Sequence, residues 1–206
     1  MNILAIGAHP DDIEYGCGGT LLKLSKKGNT NIYFFVATHG DFSGGAEVRI
    51  KEQEKAAEFL EVKKIYWGGF MDTRLVAGKE LIEKIEDAIK ECDPDIIFVN
   101  YPDDTHQDHR YLAESAVIAV RYHKKVIFYE DYTSRNFEPD IFVDIGRALQ
   151  EKGKLLKFHR SQVEREYPTS LDMVESVIAV ANFRGFQAKV KYAEGFRALR
   201  YLLDIE

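Results

Sequence analysis

Several things are scarce in this chain of 206 residues, and each scarcity closes off a class of protein. There are only two cysteines, Cys17 and Cys92, far apart and in no zinc-ribbon or redox spacing, so no disulfide framework is expected. Cys17 is expected to be a small buried packing residue, and Cys92 to end a helix. Five scattered prolines and the absence of repeats or low-complexity runs exclude a collagenous or linker-rich chain. No apolar stretch approaches the roughly 20 residues of a membrane span, and no secretory leader is visible, so a cytoplasmic protein without a membrane span is expected. Basic residues are outnumbered, 28 against 34 acidic, for a formal net charge of −6. This argues against nucleic acid or an anionic membrane as the main partner.

What is present is an alternation of short, continuously apolar runs with amphipathic segments. Strands are expected at 2–7, 32–37, 64–67, 96–99, 125–129 and 141–145. Helices are expected at about 17–27, 46–60, 79–92, 109–122, 147–160 and 171–187. Residues 192–201 form either a last strand or a covering segment. Continuous rather than alternating hydrophobicity is the mark of strands buried on both faces. β-α alternation through position 129 implies a mostly parallel sheet with right-handed crossovers. The expected architecture is α/β: one domain over 1–206, a three-layer α/β/α Rossmann-like fold.

Two loops at strand ends carry the chemistry. The first, Ala8-His9-Pro10-Asp11-Asp12-Ile13-Glu14-Tyr15-Gly16, places one histidine and three carboxylates between the first strand and a Gly-rich entry to the first helix. The second, Asp104-Thr105-His106-Gln107-Asp108-His109, follows the fourth strand. If the two strands are near one another, imidazoles and carboxylates meet at one edge of the sheet, where open α/β sheets bind ligands. Two histidines and one carboxylate with a position left over is a catalytic zinc pattern. Zinc there would polarise an acyl oxygen and activate water, and a spare carboxylate such as Asp11 would take the proton. A histidine held by Asp108 would stabilise an oxyanion or protonate a leaving nitrogen.

Weaker candidates lie around these loops. Arg49, in the first turn of its helix, is placed where the helix dipole disfavours a cation. Arg49, Asp41 and Asp72 are candidates to hold the hydroxyls or a carboxylate of a polar ligand. His39 reads as a loop or partly buried histidine rather than a ligand. His123 and His159, flanked by Lys and Arg, are expected at the surface. Asp103 and Asp104 are equally consistent with a helix cap. A doubly wound nucleotide-binding domain fits poorly, because Gly16-x-Gly18-Gly19 is a poor dinucleotide fingerprint and the acids before it repel a pyrophosphate.

The paired motifs, with Thr38 to Ser43, Arg49 and Tyr192-Ala193-Glu194-Gly195-Phe196, make the chain resemble the PIG-L/LmbE-like de-N-acetylases. Those enzymes remove acyl groups, usually acetyl, from amino sugars. The resemblance implies zinc ligands at His9, Asp12 and His109, with another divalent metal also able to serve. It implies a general base at Asp11 and a second catalytic histidine, oriented by a carboxylate, at His106 with Asp108; protonated His106 is then expected to stabilise the tetrahedral intermediate. Arg49 resembles a substrate-binding arginine of the branch that includes the bacillithiol-pathway deacetylases. The substrate implied is a small amino-sugar conjugate of N-acetylglucosamine type. A homo-oligomer, hexamer or trimer, is implied as well. The late tyrosine that assists the oxyanion in family members has no clear match: Met173 stands at the local position and Tyr167 is the nearest tyrosine. The rival functions are a metal-dependent amidase on a non-sugar N-acyl substrate and a catalytically silent sugar-binding protein.

Overall fold

A computed structural model describes residues 1–43 and 45–203; Gly44, in the loop after the second strand, lies outside the described residues. The elements follow in the order β1 (Asn2–Gly7), α1 (Asp12–Ser25), β2 (Asn31–Thr38), α2 (Ala46–Phe59), β3 (Lys64–Phe70), α3 (Lys79–Cys92), β4 (Ile96–Asn100) and α4 (Gln107–Ala119). Then come β5 (Lys125–Tyr129), β6 (Ile141–Asp144), α5 (Leu149–Leu156), α6 (Arg160–Val163), α7 (Met173–Ala188) and β7 (Ala193–Tyr201).

The seven strands form one sheet in the order β3-β2-β1-β4-β5-β7-β6. The first five positions pair in parallel, and β7 runs antiparallel between β5 and β6. This is the expected α/β class with a mostly parallel sheet. Strand side chains alternate between two cores. Ile3 and Ala5 of β1 join α1, α2, α5 and α7 on one face, through Cys17, Leu21, Ala56, Leu155 and Ala181. Leu4 and Ile6 join α3 and α4 on the other, through Leu81, Ile85, Leu112 and Ala116. Both cysteines are buried and unpaired with each other. Among the described residues no helix is long and apolar enough to cross a membrane.

β1 and β4 are neighbours, with Ile6 opposite Val99. The chain leaves β1 toward β2 on one side and re-enters beside β1 as β4 on the other, which makes the gap above their carboxyl ends a topological switch point. The two motif loops therefore face each other.

Three boundaries differ from expectation. First, α1 begins at Asp12 rather than near 17, so Asp12 and Glu14 stand in its first turn. Glycines at 16, 18 and 19 lower helix propensity, but tertiary packing requires them. A Cβ at Gly16 would lie 2.0 Å from Cδ2 of Tyr129. Tyr129 cannot yield, because its hydroxyl donates to Ile6 O at 2.8 Å and lies 2.9 Å from Asn100 Oδ1. Second, the segment 147–160 is two helices, α5 and α6, with His159 at the bend. Third, β3 continues through Gly68-Gly69 to Phe70.

The terminal strand also holds the site's first helix. Glu194 of β7 accepts from Gly19 N at 2.8 Å, Thr20 N at 2.7 Å and the Thr20 hydroxyl at 2.5 Å, and pairs with buried Lys152 at 2.6 Å. Propensity alone would make Gly16→Ala stabilising by about 1 kcal/mol. Crowding against Tyr129 is expected to reverse the sign, with a net loss of about 1–3 kcal/mol in urea-unfolding midpoints. A stabilised variant would contradict the close packing of α1 on β5.

Candidate active site

The site is built where β1 and β4 end. After β1 the chain turns through Ala8-His9-Pro10, and Asp11 serves as N-cap of α1 at φ 98, ψ −29. A non-glycine residue at such a φ is strained and persists only where its surroundings hold it. Arg49 does so: its Nη2 donates to Pro10 O at 2.5 Å and lies 3.4 Å from Asp11 Oδ1. This answers why α2 carries a cation in its first turn. Asp11 itself is 8% exposed. Burial pushes its carboxyl above the usual range, while the Arg49 and His159 cations pull it back.

Asp12 Oδ2 accepts from the Ala8 and His9 amides at 2.9 and 3.0 Å. The same oxygen lies 3.6 Å from His9 Nδ1 and 3.3 Å from His109 Nε2. Although burial raises it, these two imidazoles hold Asp12 well below the usual carboxylate range. His9 Nε2 faces Asp72 Oδ1 at 3.1 Å and Asp108 Oδ2 at 3.2 Å. His109 Nδ1 faces Asp104 Oδ2 at 3.2 Å. Burial pushes both imidazoles down, but the acids outweigh it, and His109 is held up at about 10.

His106 is the N-cap of α4, its Nδ1 accepting from Asp108 N at 3.2 Å. Its pKa is lowered by burial and by the neighbouring His9 and His109. The three rings form one cluster, with centroids 4.7 Å apart for His9–His106 and His106–His109, and 5.4 Å for His9–His109.

The expected pairing of the Asp108 carboxylate with His106 is not formed. Asp108 Oδ2 instead accepts from Thr73 N at 2.7 Å and meets His9. Residues two apart at a helix start point to different sides, so the carboxylate of 108 cannot share the direction of the ring at 106. The expected protonated His106 also conflicts with an Nδ1 that accepts a hydrogen bond, which leaves the ring's proton on Nε2. Asp72, expected among substrate contacts, is drawn into the cluster against His9 and accepts from Phe42 N at 3.0 Å. Asp41 is exposed and does not line the pocket.

The expectation of a surface His159 is overturned: it is fully buried, with Nε2 3.5 Å from Oε1 of fully buried Glu14. Its basic sequence neighbours point to solvent while its ring points inward, and flanking composition carries no information about direction at a bend. Gln53 Nε2 donates to the same Glu14 oxygen at 2.6 Å. His123 is half-buried. Sequence reasoning also missed Asp131, a buried carboxyl whose pKa burial drives well up, and underrated Asp104. It missed Tyr132, which lines the pocket with Tyr167. Asp104 stands in the second motif, but Asp131 and Tyr132 stand in neither; only the position of β5 next to β4 brings 131 and 132 to this edge.

The pocket has a volume of about 280 Å3 and includes His9, Asp11, Asp12, Arg49, His106 and His109 in its wall. Among the described residues, donor atoms within 4.8 Å of one another occur in three sets: His9, His106 and His109; His9, Asp72 and Asp108; Asp12, His109 and Asp131. The expected set of His9, Asp12 and His109 is not one of these three, but Asp12 stands between the two imidazoles that the sets share. Asp108 Oδ1 and Asp131 Oδ2 are buried without a hydrogen-bond partner. Six carboxyl groups (Asp11, Asp12, Asp72, Asp104, Asp108 and Asp131) surround three imidazoles. Buried carboxylates in such excess call for a cation, and imidazole with carboxylate is a donor set zinc accepts.

Residues 4–120, more than half of the chain and all of both motif loops, match the family described as PIG-L: GlcNAc-PI de-N-acetylase. The chain belongs to the PIG-L family. Among its relatives, diacetylchitobiose deacetylase of Thermococcus kodakarensis is 29% identical over 95% of this chain and 82% of that protein. A probable N-acetyl-α-D-glucosaminyl L-malate deacetylase 2 of Bacillus cereus is 28% identical over 79% of this chain and 84% of its own. The fold matches that of N,N'-diacetylchitobiose deacetylase from Pyrococcus horikoshii with a TM-score of 0.84, at 28% identity over 96% of this chain and 83% of that one. The PIG-L match ends near the close of α4; Asp131, Tyr132, His159 and Tyr167 all lie beyond it.

Proposed function

We propose that this protein is a zinc-dependent deacetylase that hydrolyses the N-acetyl group of a small N-acetylglucosamine-type conjugate to acetate and free amine. The observation that carries the reading is the convergence of His9, Asp12, His106 and His109 beside a strained, buried Asp11 in one pocket. Family membership and the names of the relatives support the acyl-amide substrate. His9, Asp12 and His109 would hold the metal. When bound, it supplies Lewis acidity to the acyl carbonyl and to the attacking water.

Asp11 takes the proton from that water. Arg49 holds Oδ1, which leaves Oδ2 to receive the proton, and a carboxyl raised by burial is better suited to accept it than an ordinary surface aspartate. His106 keeps its proton on Nε2, because Nδ1 is occupied by the Asp108 amide. A neutral imidazole therefore donates a hydrogen bond to the developing oxyanion, and the proton collected by Asp11 passes to the departing nitrogen. Asp104 behind His109, and Asp72 with Asp108 behind His9, fix both rings, as carboxylates commonly do for metal-binding histidines.

The grouping of His106 with His9 and His109 favours one second reading, in which His106 is itself a ligand. The two are separated by His106→Gln. A donor to the oxyanion predicts a kcat loss of about 10^2–10^3 with one equivalent of zinc retained by metal analysis; a ligand predicts that zinc is lost as well. The function itself is tested by acetate release from a panel of N-acetylglucosamine glycosides and N-acetyl amino acids by zinc-loaded protein. Release from amino acids alone would replace the sugar reading with an amidase.

A further inference from the structure

The inward face of α2 is polar where it approaches the active site. Arg49, Glu52 and Gln53 fall three and four residues apart on one side of the helix, and all three are buried. Each is tied to a different segment. Arg49 reaches Pro10 O and Asp11, while Gln53, one turn further along, donates to Glu14 Oε1 at 2.6 Å. Glu52 accepts from Ser161 N at 2.8 Å and from the Ser161 hydroxyl at 2.6 Å. Asp11 is the N-cap of α1 and Glu14 lies in its first turn, so α2 holds that turn at two points and holds α6 as well.

His159 completes this joint from the bend between α5 and α6. Its backbone is committed on both sides: N–H donates to Leu156 O at 2.9 Å, and C=O accepts from Gln162 N at 3.0 Å and Val163 N at 2.9 Å. The ring is fully buried with Nε2 3.5 Å from Glu14 Oε1, and it does not line the catalytic pocket. Burial pushes the imidazole pKa down, but the carboxylates of Glu14 and Asp11 outweigh burial and the Arg49 cation and raise it. Stability alone is a poor account of this cluster. Glu14 Oε2, Gln53 Oε1 and both ring nitrogens of His159 are buried without a hydrogen-bond partner, which is costly. Apolar residues of similar volume commonly do as well as a buried charge pair.

We propose that His159 is a positioning residue for Asp11: by bracing Glu14 against α2 it holds the first turn of α1, and with it the strained Asp11 of the pocket wall, in place. The proposal rests on the deacetylase reading, in which Asp11 takes the proton from water. Asp11 stands at φ 98, and a residue in that region keeps its conformation only while its surroundings hold it. Arg49 holds it directly. The placement of Arg49 is set by α2, which is fixed to α1 through Gln53 and Glu14 and to α6 through Glu52 and Ser161. Removing the ring from between these segments loosens Glu14 and the turn it stands in. A proton acceptor displaced slightly from its productive geometry loses rate, while the groups that contact substrate stay where they are.

The test is a double-mutant cycle in zinc-loaded protein, with kcat and KM measured by acetate release. His159→Leu is expected to lower kcat by about 10–100-fold, with KM within about twofold of wild type and zinc content unchanged. On an Asp11→Asn background the same substitution should cost less than about twofold, because the group it positions no longer takes a proton. An equal loss on both backgrounds, a loss carried by KM, or an unchanged kcat in folded His159→Leu overturns the proposal. If thermal unfolding shows that His159→Leu does not fold, the pair Glu14→Gln with His159→Leu carries the same cycle, since it leaves no uncompensated carboxylate and keeps an acceptor for Gln53. If wild type releases acetate from no substrate, the deacetylase reading fails, and the positioning is read by NMR instead. The Arg49 Nε–H resonance should then move in the folded His159 variant and stay in place in Lys157→Ala, a change at an exposed neighbour. An Arg49 resonance unmoved by loss of the His159 ring overturns the proposal.

Discussion

Asp11→Asn is expected to lower turnover by about 10^2–10^4-fold while leaving zinc content and thermal stability near those of the wild type. The substitution removes the ability to take a proton from water and keeps the shape of the side chain. Asparagine also tolerates the left-handed backbone that position 11 adopts, so the α1 N-cap should survive. The Arg49 contact to Pro10 O does not depend on the carboxylate and remains. The readouts are acetate release under single-turnover conditions and metal analysis of the same sample. Turnover within a few-fold of wild type would remove Asp11 as base and direct attention to Asp131, the other buried carboxyl pushed upward beside His109.

His109→Ala is expected to be at least as severe, by a different route. His109 lies between Asp12 and Asp104, one ring nitrogen toward each. Its removal deletes a proposed ligand and leaves two buried carboxylates without the group that compensates them, which is costly in itself. The purified variant should lose its equivalent of zinc on dialysis, with turnover falling to background. Asp104→Asn provides the graded comparison: the ligand stays but its orienting carboxylate is neutralised, and zinc affinity should fall by about 10–100-fold. Zinc bound by His109→Ala with wild-type affinity would eliminate His109 as a ligand. The set of His9, Asp72 and Asp108 would then be the stronger candidate for the metal.

Much of the architecture was legible in the sequence because its signals are local. The helix Lys79–Cys92 matches the expectation at both ends, since its apolar residues recur on one face and Asp93-Pro94 stops it. The buried strand at 96–99 needed only its continuous Ile-Ile-Phe-Val. The pairing of the two motif loops was also legible, as two dense clusters of His and Asp at strand ends. The residues that lie between those clusters were harder. Glycines 16, 18 and 19 argued for a loop, yet they lie within α1, where Tyr129, Leu155 and Glu194 respectively approach too closely for an easy side chain.

The sequence by itself determined the α/β alternation, the two loops and the residue types at the site, because hydrophobic period and motif spacing are properties of the chain alone. Tertiary structure decided which carboxylate faces which imidazole. Asp108 turned from His106 to His9, Asp72 joined them, and Asp104 took His109, since side-chain direction at a helix start depends on where the neighbouring strands place their loops. It also decided that His159 is buried against Glu14, and that Tyr132 and Tyr167 line the pocket. These contacts join segments far apart in the chain, and they exist only once the sheet has set β5 beside β4 and the bend before α6 has reached Glu14 of α1.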